Sequence, residues 1–315
     1  MKPIKVTIVG ISADLGLFGN THCTPPHSLK LWWLLVRILL AGVLWLLANL
    51  IVHSAFFMPA KTRRQKMREL SHRIFGFLCC KENLHEQENG FLARIEQQFQ
   101  RPVVLTNLCI IGQSMRMACK TRDRIPGQQD IVILHLGVMD FINKSPCATF
   151  RAYTRALLAE VGRKNPAAHI IFLGPPDQVL TLTTPLNHQK ALPLPFAPTV
   201  GDLHRLQGFH RFLKLTANST ASEIDYAARL LDIYVRIMQR ELLRAHRQGL
   251  IHSYSFGDCR KVDIYAAPDR PRFFGLDGIH ISREGVAHAV AFLWPGISKE
   301  LAQNKFCWNI SDEAH

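Results

Sequence analysis

The chain has 315 residues, of which 48% are hydrophobic, and this is enough for one large domain with a sizeable core. Its formal net charge of +14 suits an anionic partner, either a nucleic acid or an anionic membrane surface. The Lys and Arg residues are scattered, without zinc-finger spacing, an RNP motif or an arginine-rich repeat, so we expect no nucleic-acid partner. The eight cysteines have no metal-type spacing, so free thiols are expected, with no metal or other cofactor.

The first predicted element is a buried strand at the N-terminus, in the stretch KVTIVGIS. Its β-branched residues run into Gly10 and Ser12, where a turn is expected to begin. The lysines before this run faintly resemble the start of a signal peptide. The run is short, however, and no small-residue cleavage site follows it, so no cleavable signal peptide is expected.

An apolar stretch at residues 28–58 comes next. Its most apolar part, from Ile38 to Phe57, is about as long as a transmembrane helix. Five basic residues follow between Lys61 and Arg68, a pattern typical of the cytoplasmic end of a membrane segment. The stretch is therefore predicted to contact a membrane; a buried core helix is the alternative.

Strands then alternate with helices. A helix is predicted to end near Gln98, and another, which Gly249 ends, to cover 219–249. Three further strands are predicted, each with a glycine near its end: 101–114, 130–143 and 167–176. A long loop at 174–215 is a predicted lid. The stretch KVDIYAAP, 261–268, predicts a last short strand before a C-terminal helix.

Near-continuous apolar strands between helices indicate a mostly parallel sheet covered on both faces, which is a three-layer α/β/α fold. In such sheets the chemistry lies at the carboxyl ends of the strands. Ser12, Gly112 and Gly137 fall at these ends. Asp277 and His280 lie three residues apart before the last helix, where such a pair standing alone is more often a helix cap than a catalytic pair.

Taken together, these residues resemble the motifs of the SGNH (GDSL-like) hydrolase family, over nearly the whole chain apart from the apolar insertion. VGISADLG stands at the serine block, NLCIIGQS at the glycine block, LHLGVMDFI at the Gly-x-Asn-Asp block and DGIHISREG at the Asp-x-x-His block. The resemblance implies a single flavodoxin-like domain over 1–315, with the insertion 28–58 and the lid 174–215 inside it.

The resemblance also implies an esterase, lipase or thioesterase that acts on a lipidic or long-chain acyl substrate through an acyl-Ser12 intermediate. Ser12 would be the nucleophile, His280 the general base and Asp277 the carboxylate that orients the imidazole. The backbone N–H groups of Ser12 and Gly112 would form part of an oxyanion hole.

Two positions depart from the family pattern. Ile11 stands where the family has Asp, and Met139 stands where it has the Asn that is a third oxyanion donor. Methionine cannot donate a hydrogen bond, so Asn143, a lid group or a water would have to replace it. Two alternatives stay open: an acyltransferase that uses the same intermediate, and a catalytically silent membrane-associated binding protein.

Chain topology restricts the membrane contact. A single crossing by the apolar stretch would put Ser12 and His280 on opposite sides, and about 30 residues are too few for two helical crossings. We therefore expect monotopic association with the cytoplasmic face through residues 28–68, with a helix or helical hairpin in one leaflet.

Overall fold

The computed structural model describes residues 2–10, 89–110, 112–184, 199–202, 213–264, 273–274 and 279–303, with single positions at 40, 43, 44, 47 and 188. Ser12 and Asp277 lie outside these residues, as do the basic segment 61–68 and most of the apolar stretch 28–58. The predicted lid, 174–215, is described in part. The limits predicted for the domain, the insertion and the lid stay predictions.

Within the described residues, five strands form one sheet in which all neighbours run parallel. They are β1 (Ile4–Val9), β2 (Val103–Asn107), β3 (Ile131–His135), β4 (His169–Leu173) and β5 (Ser253–Gly257). The order across the sheet is β2-β1-β3-β4-β5, and Val6 of β1 is level with Leu105 of β2 and Ile131 of β3. This is the flavodoxin-like order of doubly wound proteins.

Helices connect the strands and cover both faces of the sheet. They are α1 (Phe91–Phe99), α2 (Met115–Lys120), α3 (Val138–Ile142), α4 (Cys147–Lys164), α5 (Gln178–Thr183), α6 (Ala221–Arg247) and α7 (Arg283–Gln303). On one face α1 and α7 pack with Ile131 and Ile133, and on the other α2 to α6 pack with Val132 and Leu134. Successive residues of β3 thus point to opposite cores, which explains its continuous apolar run. The predicted three-layer α/β/α fold is confirmed.

Helix α6 lies where the sequence predicts its clearest helix. It begins with a capping box formed by Thr220 and Glu223, and Gly249, in the left-handed region at φ +69°, follows its end. Within α6 the buried carboxylate of Glu241 accepts two hydrogen bonds from the Arg155 guanidinium, at 2.9 and 3.1 Å. This bidentate pair joins α6 to α4, which pack on the same face of the sheet.

The last strand in the described residues is β5, at one edge of the sheet, which the sequence does not predict. Of the predicted strand at 261–268, residues 261–264 form no strand and the rest lies outside the described residues. The sequence of β5, SYSFG, alternates serine with aromatic residues, so it lacks the apolar run of the other strands. Its two serines are buried because their hydroxyls lie 3.0 and 2.7 Å from the ring nitrogens of His169 on β4.

The described positions of the apolar stretch are helical. They are Leu40, Val43, Leu44 and Leu47, and their side chains are 42–52% exposed. Among the residues that the structure describes, no helix has both the length and the hydropathy needed to cross a bilayer.

Candidate active site

The carboxyl end of β1 lies between those of β2 and β3 because β1 occupies the position between these strands. Beyond β2 the chain continues beside β1. Leu108 N–H donates to the Ile8 carbonyl at 2.8 Å, and Ile110 N–H donates to the Gly10 carbonyl at 3.1 Å. Gly10 is the last described residue of this segment, and Ser12 follows it by two positions.

A tight turn with Gly112 follows Ile110. Gly112 has a φ of +70°, and the N–H of Gln113 donates to the Ile110 carbonyl at 3.1 Å. A Cβ at Gly112 would meet no atom within 4 Å, so the backbone conformation, not lack of space, favours glycine here. The turn therefore lies next to the end of β1, and the role of Gly112 in an oxyanion hole stays a prediction.

A second turn follows β3 at Gly137. This residue has a φ of +99° and directly precedes α3, whose Phe141 N–H donates to the Gly137 carbonyl at 3.0 Å. Met139, in the first turn of α3, is partly buried and packs against the larger apolar core. Its side chain therefore fills space at this position, and it offers no hydrogen-bond donor.

Asp140 joins the two turns. Its carboxylate is 2% exposed; it accepts the Met115 N–H at 2.6 Å and lies 3.4 Å from the Ser145 hydroxyl. Burial raises the pKa of Asp140 to about 6, against the opposing effect of the hydrogen bonds from Met115 and Ser145. Asp140 stands at the last position of the stretch that resembles the Gly-x-Asn-Asp block, and in the structure it connects α2 to α3.

His280 lies on a short segment before α7. The imidazole is 8% exposed, and the next residue, Ile281, forms an antiparallel bridge with Phe274. Ser282 N–H donates to the Phe273 carbonyl at 2.9 Å, and Ser282 Oγ accepts the Gly285 N–H at 3.1 Å. Ser282 therefore caps the start of α7, so His280 does not have that function.

Close packing holds this segment in place. A Cβ at Gly285 would lie 2.2 Å from the Phe273 carbonyl oxygen, so only glycine fits there. On the other side of His280, Ile279 belongs to the same buried apolar cluster as Val9 and Val138, which lie near the ends of β1 and β3. The segment that carries His280 is thus anchored on both sides. Distances within the predicted triad depend on Ser12 and Asp277, which lie outside the described residues.

Asn143 is the side chain that the sequence offers in place of the missing Asn. It caps the C-terminal end of α3, where its N–H donates to the Met139 carbonyl at 3.0 Å. Four residues along a helix correspond to about 6 Å, and the side chain of Asn143 is exposed. Its role in an oxyanion hole stays a prediction.

No group of three or more His, Cys, Asp or Glu side chains within the described ranges is arranged to hold a metal ion. The geometry that the structure does describe therefore includes the two glycine turns at Gly112 and Gly137, the buried carboxylate of Asp140 and the buried imidazole of His280.

The sheet order defines the class of the protein as doubly wound α/β with flavodoxin-like topology, the fold that the resemblance to the SGNH hydrolases implies. No protein-family model matches the chain, and no curated protein matches it.

Several solved structures are similar to this chain. One is TesA, at 10% identity over 94% of this chain and 98% of that one, with a TM-score of 0.44. Another is an extracellular lipase from Streptomyces rimosus, at 12% identity over 93% and 99%, with a TM-score of 0.44. A third is a phospholipase A1 from Streptomyces albidoflavus NA297, at 12% identity over 95% and 100%, with a TM-score of 0.41. Such distant likeness carries no argument about the activity of this chain.

Proposed function

We propose that the protein is a serine-dependent hydrolase of acyl esters or thioesters, with a lipidic or long-chain acyl substrate. The observation that supports this proposal is the position of β1 between β2 and β3. Because of that position, the carboxyl end of β1, which Ser12 follows in the chain, lies between the segments that carry the turns at Gly112 and Gly137. His280 is buried, and its neighbour Ile279 belongs to the apolar core that contains Val9 at the end of β1.

The proposed reaction has two halves. In the first, Ser12 Oγ bonds to the acyl carbon while His280 takes the hydroxyl proton; the bond to the leaving group then breaks, and His280 returns the proton to it. In the second, water attacks acyl-Ser12 with His280 again as base, which releases the acid and regenerates Ser12. Asp277 holds the imidazole in the required tautomer.

The proposed oxyanion hole uses the backbone N–H groups of Ser12 and Gly112. One donor of this kind is worth roughly 3 kcal/mol of transition-state stabilisation. Since Met139 supplies none, we expect slower acylation than a site with three donors would give.

Labelling with a fluorophosphonate probe tests this function. We expect the folded wild-type protein to be labelled, the Ser12→Ala variant to remain unlabelled and Ser222→Ala, which changes an exposed serine of α6, to be labelled like the wild type. Labelling that is absent from the folded wild type, or that persists in Ser12→Ala, would count against the proposal.

Acyl transfer to an alcohol or amine would start from the same acyl-Ser12 intermediate. Hydrolysis and transfer differ only in whether water or another acceptor reaches the intermediate. Product analysis with candidate acceptors separates them: free acid as the only product supports hydrolysis, and an acylated acceptor supports transfer.

A catalytically silent binding protein is the second candidate, and the packing of Met139 against the core favours it. Under this hypothesis the Ser12→Ala variant keeps its biological activity. Loss of that activity in a stably folded Ser12→Ala protein would exclude it.

We further propose that the protein associates with an anionic membrane surface on its cytoplasmic face. Support comes from the exposed helical positions Leu40, Val43, Leu44 and Leu47, whose spacing places them on one side of a helix. The basic segment at 61–68 and the net charge of +14 suit anionic headgroups.

A further inference from the structure

The outer side of α6 carries a row of exposed arginines. We call this row the arginine stripe; it consists of Arg229, Arg236, Arg240, Arg244 and Arg247. Spacings of three, four or seven residues keep these side chains within an arc of about 80° around the helix, along about 27 Å of its axis. The first two side chains are 78% and 64% exposed, and the other three residues are exposed as well.

The carboxylates of α6 neutralise only the first part of the stripe. Asp225 and Asp232 form ion pairs with its first two arginines. Glu223 belongs to the capping box, and the buried Glu241 pairs with α4. Within the described parts of the chain, no carboxylate pairs with the other three arginines of the stripe, which are Arg240, Arg244 and Arg247.

Helix stability does not explain this row of charges. Arg236, Arg240 and Arg244 follow one another at intervals of four residues, and like charges at this spacing repel each other. The helix dipole favours cations in the last turn, which contains Arg244 and Arg247 but not Arg240. A row that continues beyond the last turn therefore indicates a binding surface.

The composition of the stripe indicates the chemistry of its partner. All its cations are arginines, and α6 contains no lysine. The guanidinium group matches a carboxylate in a bidentate pair, and arginine is enriched at protein interfaces, where lysine is depleted. Tyr226 and Ile233 lie in the same arc and are 62% and 45% exposed. Apolar side chains among arginines suit a protein surface, whereas anionic headgroups attract lysine and arginine alike.

We propose that the arginine stripe, together with Tyr226 and Ile233, is a docking surface for an acidic segment of a partner protein. Carboxylates of that segment pair with Arg240, Arg244 and Arg247. A helix that presents carboxylates every third or fourth residue, with an apolar side chain among them, has the matching spacing. None of these residues belongs to the candidate active site, so the inference does not depend on the proposed function.

A pair of synthetic helical peptides tests this surface. The first carries glutamates three or four residues apart on one face, with a leucine among them. The second has the same composition, but its glutamates are spread around the helix, so a difference in affinity reports geometry and not net charge. We expect the wild type to bind the first peptide about tenfold more tightly, measured by fluorescence anisotropy at physiological ionic strength. Equal affinity for the two peptides would overturn the proposal.

The double variant Arg240→Gln/Arg244→Gln should bind the first peptide about tenfold more weakly, because it loses two ion pairs across the interface. It is expected to fold, since it removes repulsion between neighbouring arginines. Arg116→Gln/Lys120→Gln is the matched control, because it removes two exposed cations from α2. A control that weakens binding as much as the stripe variant would show that only net charge matters, against the proposal.

Replacement of Ile233 tests the apolar part of the surface. Ile233→Ser should weaken binding of the first peptide about fivefold, because the exposed part of this side chain is buried on docking. Phe292→Ser is the control: Phe292 is 50% exposed on α7, on the other face of the sheet, so binding should not change. Unchanged binding in Ile233→Ser would exclude Ile233 from the surface and contradict the proposal in this form.

Vesicles that contain phosphatidylserine and duplex DNA test the other polyanions. Arg240→Gln/Arg244→Gln should match the wild type in flotation and in DNA binding. A loss of either as large as the loss of peptide binding, or self-association of the wild type that the variant lacks, would assign the stripe to another partner and overturn the proposal. Fluorophosphonate labelling of this variant should equal that of the wild type, so failure of the docking surface and failure of the proposed function are distinguishable.

Discussion

At the scale of single residues, Asp140 has the most perturbed environment of the candidate site. Its carboxylate is buried, and its bond from the Met115 N–H connects the segment after β2 to the segment after β3. Burial raises its pKa from 3.8 to about 6. As the pH rises, Asp140 therefore keeps its proton in the folded protein to a higher pH than in the unfolded chain.

The sign of the resulting pH dependence follows from this shift. The contribution of Asp140 to stability is fully present below about pH 4 and is lost as the pH rises through about 6. Two pKa units correspond to about 3 kcal/mol. We therefore expect Asp140 to lower the free energy of unfolding of the wild type by up to about 3 kcal/mol between pH 4 and pH 7. The Asp140→Asn variant should lack this decrease.

Urea denaturation at several pH values measures this effect. Asp225→Asn, which changes an exposed aspartate of α6, serves as the control and should follow the wild-type pH profile closely. If Asp140→Asn and the wild type have the same profile, the raised pKa is wrong.

Sequence motifs predict part of this residue-scale picture. The glycine turns at 112 and 137 are visible in the sequence because glycine marks strand ends, and the structure gives both a positive φ. The bond between Met115 and Asp140 depends on which loops meet in space. Sequence spacing does not contain that information.

At the scale of elements, two helical glycines have contrasting surroundings. A Cβ at Gly162 in α4 would lie 1.7 Å from the backbone oxygen of Leu250, in the turn after α6. A Cβ at Gly296 in α7 would meet no atom within 4 Å. Gly162 thus allows α4 to approach the turn closely, whereas Gly296 has no packing reason to be glycine.

Alanine substitutions test this difference. Gly162→Ala should lower the free energy of unfolding by about 2–3 kcal/mol, because the overlap forces α4 away from the turn. Gly296→Ala should raise it by up to about 1 kcal/mol, because alanine favours the helix. Thermal and urea denaturation measure both, and equal effects of the two substitutions would contradict the described packing of α4.

The sequence predicts some of the strands and helices and misses others. β1, β3 and β4 are recognisable because burial on both faces produces continuous apolar runs, and α6 because its cap and its period agree. β5 is missed because its buried serines are compensated by His169, a residue of the neighbouring strand. A contact between strands that lie far apart in the chain leaves no local signal.

At the scale of the whole molecule, the proposed membrane contact predicts lipid binding that depends on charge and on the exposed helical positions. The wild type should float with vesicles that contain phosphatidylserine, and less so at high salt, since salt screens the attraction to anionic headgroups. The double variant Leu44→Glu/Leu47→Glu should bind at least tenfold more weakly, because charged side chains oppose burial in the acyl region.

Leu250→Glu is the control for this experiment. Leu250 is an exposed apolar residue in the turn after α6, at 39% exposure, so its replacement should leave flotation unchanged. Flotation that persists undiminished in the double variant would contradict the contact proposed for this segment.

The fold of the whole molecule follows from the sequence because alternating apolar strands and helices restrict the topology to a parallel sheet covered on both faces. The resemblance to the SGNH hydrolases narrows it to the flavodoxin-like order that the structure has. The placement of Ser12, Asp277 and His280 relative to one another is predicted from the motifs alone.

A crystal structure of the protein inhibited by a phosphonate tests whether Ser12 is the nucleophile and His280 its base. We expect a covalent bond from phosphorus to Ser12 Oγ and a His280 ring nitrogen about 2.6–3.2 Å from that oxygen. Phosphorus bound to another residue, or a His280 ring that lies beyond hydrogen-bond reach of Ser12, would contradict it.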